Sequence, residues 1–172
     1  ASLRARARPA VLAHAQAHAH SRMVVIELPE AYGYVVLANG IVAFVSNFLL
    51  AGNVIKARQR YGVPLPNLYG VPGVHKDADA FNRVQRGHQN GLEYATLVAV
   101  TSLTGGIKHP YAAALGTVMT CAGSYFYQLG YADTKLDVKM ARYKKGGGFK
   151  WLGMLLNVGL SVSFAGTLLK WW

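Results

Sequence analysis

Acidic residues and cysteine are scarce in this sequence, and long stretches carry no charge at all. Its 172 residues contain 18 Lys and Arg but only 7 Asp and Glu, which gives a formal net charge of +11 at pH 7. The one cysteine, Cys121, excludes an intrachain disulfide, and no Cys/His spacing typical of a zinc site is present. We therefore expect a single domain without a resident metal ion.

Charged residues are missing from three long segments, residues 31–55, 109–132 and 151–169. A helix needs about 20 largely apolar residues to cross about 30 Å of hydrocarbon. A fourth gap, residues 94–107, reaches that length only if its helix begins near Phe81. The sequence thus predicts an all-α fold, a four-helix transmembrane bundle with helices at about 32–58, 80–104, 110–131 and 149–171.

A soluble helical bundle is the alternative, and each of its helices would carry a polar face at a period of 3.6 residues. The first, third and fourth apolar segments show no such face, which favours the membrane. Gly105-Gly106 and His109-Pro110 predict a tight turn between the second and third helices. The basic residues lie mainly between the apolar segments, so we expect membrane lipid and no nucleic acid as their partner.

Residues 1–22 differ from the rest of the chain, because they contain several arginines and alanines and no acidic residue. Such a composition is typical of mitochondrial presequences, although a leader without a role in the fold is the simpler alternative. We therefore divide the chain into an N-terminal Arg/Ala/His-rich extension or targeting segment (1–22) and a four-helix membrane domain (23–172). This segment favours a mitochondrial membrane, with the endoplasmic reticulum as the alternative.

The start of the second apolar segment carries the most informative polar residues. Arg86, Asn90 and Glu93 are spaced i, i+4, i+7, which places them on one face of a helix. Charged side chains in a membrane segment usually face a bundle interior or a wet cavity and mark a functional site. A guanidinium, an amide and a carboxylate together suit a small zwitterion that carries carboxylates and an amine.

Further candidates lie at the same predicted end of the bundle. Arg58 ends the first helix, Tyr127 and Tyr131 end the third, and Lys139 and Arg142 follow in a basic loop. A thiol bound beside these cations would have a lowered pKa and react as the thiolate. Simpler roles stay open: the tyrosines as membrane-interface anchors, Arg58 as a charge reaching the interface, and Arg86 with Glu93 as an ion pair for assembly.

Residues 81–93 fit the pattern Phe-x-Arg-x-x-Arg-x-x-x-Asn-x-x-Glu. This pattern resembles the signature of the MAPEG family, the membrane-associated proteins in eicosanoid and glutathione metabolism. Residues 127–131 (Tyr-Gln-Leu-Gly-Tyr) and the helix end at residues 54–58 resemble that family as well. The resemblance covers about residues 27–170.

The resemblance implies a homotrimer of four-helix bundles that binds glutathione between neighbouring subunits. By position, the residues matching the family's glutathione contacts are Arg58, Arg86, Asn90, Glu93, Tyr94, Tyr127 and Tyr131. One departure concerns the thiolate, since a branch of the family has an arginine seven residues after the second tyrosine. That position is Val138 here, so Lys139 or Arg142 would have to stabilise the thiolate.

The activities implied are glutathione conjugation of lipophilic electrophiles and reduction of lipid hydroperoxides, with glutathione as co-substrate. Two other hypotheses stay open. The presequence-like start and Val138 favour a non-catalytic accessory subunit of a larger membrane complex, such as a respiratory complex. A lipid-presenting scaffold is the third, although it has less need of Arg86 and Glu93.

Overall fold

The computed structural model describes residues 27–171, which form helices joined by turns and contain no strand. The helices are α1 (Tyr32–Tyr61), α2 (Ala78–Lys108), α3 (Pro110–Tyr131), α4 (Ala141–Lys144) and α5 (Phe149–Leu168). The predicted all-α fold is therefore confirmed. The predicted N-terminal segment, residues 1–22, lies outside the described residues.

The four long helices follow the predicted order, but their lengths are unequal. α1 and α2 have 30 and 31 residues, whereas α3 and α5 have 22 and 20. α2 extends past both ends of the predicted segment 80–104, and α5 ends at Leu168 rather than near residue 171. The short helix α4 was not predicted, because four residues leave no periodic signal.

The helices run alternately up and down, so the loops 62–77 and 132–148 lie at one end of the bundle, called the polar end below. At the opposite end the helix termini are level with one another. There the Lys108 ammonium donates to the Thr167 hydroxyl at 2.8 Å, and Tyr32 Oη donates to the Leu103 carbonyl at 3.0 Å. The unequal helix lengths are consequently taken up at the polar end.

The turn between α2 and α3 contains His109, as predicted, but not Gly105 or Gly106. Gly105 and Gly106 lie inside α2, and His109 alone separates the two helices. A Cβ atom at Gly105 would lie 2.7 Å from the backbone nitrogen of Ser161 and 2.8 Å from the carbonyl carbon of Leu160. The glycine therefore permits close packing of α2 on α5 and does not form a turn.

A layer of uncharged polar side chains crosses the bundle, closer to the end opposite the polar end. Thr117 donates to the Ser102 hydroxyl at 2.7 Å, and Asn39 donates to the same hydroxyl at 3.0 Å. The fully buried Asn157 amide contacts the Thr117 hydroxyl at 3.2 Å. These four residues, called the neutral layer, link α1, α2, α3 and α5. Such interhelical hydrogen bonds help hold membrane helices together.

Gln128 makes a second link nearer the polar end. Its amide nitrogen donates to the carbonyls of Leu50 in α1 and Val84 in α2, at 3.1 and 3.2 Å. Its oxygen accepts from Asn53 at 2.8 Å. Because a buried polar group is stable only when hydrogen-bonded, this arrangement fixes α1 and α2 against α3 at one height.

Length and hydropathy alone support two of the four predicted membrane helices within residues 27–171, namely α1 and α5. Within residues 27–171, these two helices qualify as spans, with mean hydropathies of 2.0 and 1.4 in their most apolar windows. α2 and α3 carry more polar residues, and several of these are buried between the helices. Large apolar side chains such as Phe44, Phe48 and Leu155 point outward, as expected where lipid surrounds a bundle.

Candidate functional site

Arg86, Asn90 and Glu93 lie together on one face of α2. The two guanidinium nitrogens of Arg86 lie 2.5 and 3.4 Å from the carboxylate oxygens of Glu93, and Asn90 Nδ2 donates to Glu93 Oε2 at 3.4 Å. The Arg86 and Glu93 side chains are 46 % and 44 % exposed. An ion pair so exposed contributes little to stability, so its groups remain available to a ligand.

Beneath this pair lies a lysine that sequence analysis did not select. Lys150 Nζ donates to Asn90 Oδ1 at 2.5 Å, and only 1 % of the residue is exposed. Arg86, Asn90, Glu93 and Lys150 are called the charged cluster below. The one sequence signal for Lys150 is that it is the last charged residue before an apolar segment.

The backbone of α5 brings Lys150 to this place by close contact with α3. A Cβ atom at Gly123 would lie 2.1 Å from the backbone nitrogen of Lys150 and 2.7 Å from its Cα. Only glycine fits there without moving α5, since real Cβ atoms do not approach backbone so closely. Gly123 therefore sets the position of the first turn of α5 against α3.

Three aromatic rings surround the Lys150 ammonium. Nζ lies 4.7 Å from the ring centroid of Tyr94, 4.8 Å from that of Tyr127 and 5.2 Å from that of Trp151. Tyr94 and Trp151 also meet edge to face at 5.3 Å. Ring faces attract cations, and this attraction is stronger away from water. The rings thus help to hold a positive charge inside the protein.

Arg142, Tyr127 and Tyr131 form a second group at the end of α3. Arg142 Nη1 donates to the Tyr127 hydroxyl at 3.3 Å, and its guanidinium carbon lies 4.6 Å from the centroid of the Tyr131 ring. Arg142 lies on α4, whose first residue, Ala141, is fully buried. The short helix α4 therefore positions this arginine. Through Tyr127 this group adjoins the Lys150 ammonium.

The loop that carries α4 is fastened at both ends. Arg83 on α2 donates to the Leu136 carbonyl at 3.1 Å. Asp133 lies 3.0 Å from the Lys145 ammonium and accepts from the Lys135 backbone N–H at 3.1 Å. The Lys145 ammonium, and then the Lys135 N–H, lower the pKa of Asp133 from its ordinary value. Arg83, named in the motif but not among the candidates, thus holds the loop.

Two candidates lie apart from these groups within the chain. Arg58 donates to the carbonyls of Asn67 and Val63 at 2.7 and 3.4 Å, so its guanidinium is bound to the loop between α1 and α2. The Lys139 side chain is exposed, and its hydrogen bonding among residues 27–171 is limited to its backbone N–H, which donates to Asp137. Neither side chain contacts the charged cluster.

The arrangement offers donors and an acceptor to a small charged molecule at the polar end. Arg86 presents a fork for a carboxylate, and Glu93 presents a carboxylate for an amine. Arg142 and Lys150 add positive charge on two sides of Tyr127. Among residues 27–171 no group of three or more His, Cys, Asp or Glu side chains could hold a metal ion. This chemistry suits an anionic or zwitterionic ligand.

A comparison with protein families agrees with this fold. The family model described as the MAPEG family matches residues 36–164, which span α2, α3 and most of α1 and α5. The matched range contains every residue of the charged cluster and of the Arg142 group. It covers well over half of the chain, and the chain therefore belongs to the MAPEG family.

Proposed function

We propose that this protein is a membrane-bound glutathione transferase and peroxidase that acts on lipophilic electrophiles or lipid hydroperoxides. The MAPEG family is a family of helical membrane bundles that includes glutathione transferases and peroxidases as well as non-catalytic members. We therefore place the chain among the catalytic members of the family. Among these members we propose a likeness to microsomal glutathione S-transferase 3, which residues 85–93 and 127–131 resemble.

The half-exposed Arg86–Asn90–Glu93 face carries this proposal. Glutathione has two carboxylates, one amine and one thiol. The Arg86 fork would pair with a carboxylate, the Glu93 carboxylate would accept from the amine, and the Asn90 amide would donate between them. Tyr94, Tyr127 and Tyr131 would pack along the rest of the peptide. Arg86 and Glu93 now satisfy each other, so ligand binding would exchange one charge pair for two.

Arg142 is the better candidate for stabilising the thiolate. Its guanidinium lies beside the rings of Tyr127 and Tyr131, whereas the Lys139 side chain is exposed. A cation held beside the bound sulfur lowers the thiol pKa and keeps the sulfur deprotonated as the thiolate. The thiolate then displaces a leaving group from an electrophile. With a hydroperoxide, two glutathiones give the disulfide, an alcohol and one water.

A second copy of the chain would complete the site. Within one chain the Arg58 guanidinium is bound to loop carbonyls and the Arg86–Glu93 pair faces outward. The family resemblance puts glutathione between neighbouring subunits of a homotrimer. A neighbour's Arg58 would then approach from across the boundary. We propose this assembly in a mitochondrial membrane, with the endoplasmic reticulum as the alternative.

One observation favours a second function, that of a non-catalytic subunit of a larger membrane complex. The arginine that stabilises the thiolate in one family branch is replaced by Val138, which is exposed here. Such a subunit would keep the bundle but would neither bind glutathione nor turn it over. The two functions therefore differ in a property that can be measured directly.

The test is a calorimetric titration of glutathione into the detergent-purified wild-type protein, with the oligomer mass from light scattering. We expect saturable binding, a trimer mass and glutathione-dependent reduction of cumene hydroperoxide. A protein that binds no glutathione and purifies within a larger assembly would overturn the enzymatic proposal. Binding without turnover would retain the site but exclude the catalytic role of Arg142.

A further inference from the structure

The most unusual group in the described residues is the buried ammonium of Lys150. It lies in the first turn of α5, fixed by the contact of its backbone with Gly123, and it is almost completely removed from solvent. Burying an ammonium is costly unless it is paired. In soluble proteins, lysine is almost never fully buried without a partner. The contacts of Lys150 therefore call for an explanation.

The surroundings of Lys150 balance its charge only in part. Within residues 27–171, no carboxylate lies within the 4.0 Å ion-pair distance of Nζ, and the nearby Glu93 is paired with Arg86. The ammonium has three N–H groups, and one of them donates to Asn90. The rings of Tyr94, Tyr127 and Trp151 provide the remaining attraction. The net positive charge of the charged cluster thus favours an added anion.

Lys150 also decides which way the Asn90 amide points. An ammonium can only donate, so the Asn90 oxygen faces inward, toward Nζ. The Asn90 nitrogen therefore faces outward, where it donates to Glu93 at 3.4 Å. Asn90 itself is only 8 % exposed, and its outward face is its N–H edge. Without the ammonium, either edge of the amide could face the ligand.

We propose that Lys150 is a positioning residue that makes the site prefer a peptide with ionised carboxylates. It does so by turning the Asn90 amide N–H outward and by placing positive charge beneath the site. This inference rests on the proposed function, because it takes the Arg86–Asn90–Glu93 face as the place where the peptide binds. It assigns Lys150 to carboxylate recognition and not to the sulfur.

The experiment compares three ligands: glutathione, its diethyl ester and S-methylglutathione. Their dissociation constants are measured by titration on the wild-type oligomer and on Lys150→Met. We expect the Kd to rise about tenfold for glutathione and for S-methylglutathione, since a charge-assisted contact is lost. The Kd of the diester should change less than about twofold, because it has no carboxylates to recognise. Any kcat should change less than the KM for glutathione.

Two more variants separate charge, hydrogen bonding and folding. Lys150→Gln removes the charge but keeps an amide donor for Asn90, so we expect it to lose less of the preference for glutathione over the diester than Lys150→Met does. Lys144→Met removes an exposed charge from the same end of the bundle and should leave all three constants unchanged.

The outcomes distinguish this inference from the function on which it rests. A wild-type protein that binds none of the three ligands overturns both. A wild-type protein that binds glutathione, with both Lys150 variants weakened equally toward glutathione and the diester, limits Lys150 to folding and overturns the inference alone. A loss confined to ligands with a free thiol also overturns it, because it would assign Lys150 to the sulfur.

Discussion

The bundle contains two polar regions that use different chemistry. The neutral layer joins Asn39, Ser102, Thr117 and Asn157 through uncharged groups, and its innermost members are fully buried. The charged cluster brings together Arg86, Asn90, Glu93 and Lys150, and its outer half is exposed. Both regions link helices that are distant in sequence.

The difference indicates a division of tasks. The hydroxyls and amides of the neutral layer satisfy one another, so the layer can hold helices together without any added molecule. The charged cluster joins two cations to one carboxylate, which leaves an excess of positive charge at an open surface. A region with this excess is suited to binding. We therefore expect variants of the two regions to affect different measurements.

The largest expected effect is the loss of glutathione binding in Arg86→Ala. This variant removes two charge-assisted hydrogen bonds, so the Kd should rise on the order of 10- to 100-fold by calorimetry. The Tm should change by less than about 2 °C, because an exposed ion pair adds little stability. Arg60→Ala, which removes an exposed arginine from the same end, is the control and should bind normally. An unchanged Kd in Arg86→Ala would remove this residue from the site.

The second prediction separates the two thiolate candidates. Arg142→Ala should lower kcat for hydroperoxide reduction on the order of 10- to 100-fold, as expected when a fixed charge beside the reacting atom is lost. Lys139→Ala should lower it by less than about tenfold, because its side chain is exposed. Steady-state rates at saturating glutathione measure both. A larger effect at Lys139 would show that the loop rearranges when the ligand binds.

The third prediction concerns the neutral layer. Asn157→Ala should lower the free energy of unfolding by about 1–3 kcal/mol, because it removes the buried hydrogen bond that links α5 to the Thr117 hydroxyl and leaves a cavity in its place. Denaturation in mixed micelles measures this change, while the Kd for glutathione should stay the same. Asn67→Ala, at an exposed loop position, is the matched control. If Asn157→Ala weakened binding and left stability unchanged, the division of tasks would be wrong.

The smallest effect is expected at Asp133, in the loop that carries Arg142. The pKa of Asp133 is lowered, so its contact with Lys145 stabilises the fold above the ordinary value of 3.8 and is lost as the pH falls through the lowered pKa. Asp133→Asn should therefore lower the Tm by less than about 2 °C at pH 7. The difference from wild type should vanish at acid pH. Lys145→Met should give the same result, since both variants break one ion pair.

The helices and the Arg86–Asn90–Glu93 face could be predicted because their signals are local. Charge-free segments give helix positions, and a spacing of i, i+4, i+7 gives a shared face wherever the helix lies. The prediction that Gly105 and Gly106 form a turn was wrong for a physical reason. Glycine is common in turns, but it also serves where two helices pack closely, and the sequence alone does not distinguish these uses.

Lys150 could not be predicted, because its role depends on contacts between distant segments. Asn90 is 60 residues away in the chain, and the contact exists only because α5 packs closely on Gly123. The same reason explains why the different roles of Arg142 and Lys139 could not be predicted. They are three residues apart in one basic loop. Only the packing of α4 against α3 brings the arginine beside two rings and leaves the lysine exposed.

The unequal helices give the polar end a stepped outline. At about 1.5 Å per residue, α1 and α2 are roughly 45 Å long, whereas α3 and α5 are roughly 30–33 Å. Since the other end is level, the longer pair extends past the shorter one, and the loop 132–148 packs beside this extension through the bond from Arg83 to Leu136. Asn90 meets the first turn of α5, so the charged cluster lies where the extension of the longer pair begins. On the proposed function, a water-soluble peptide would reach the cluster from the polar end and a lipophilic substrate would reach it from the surrounding lipid, so the two reactants would meet without sharing a solvent.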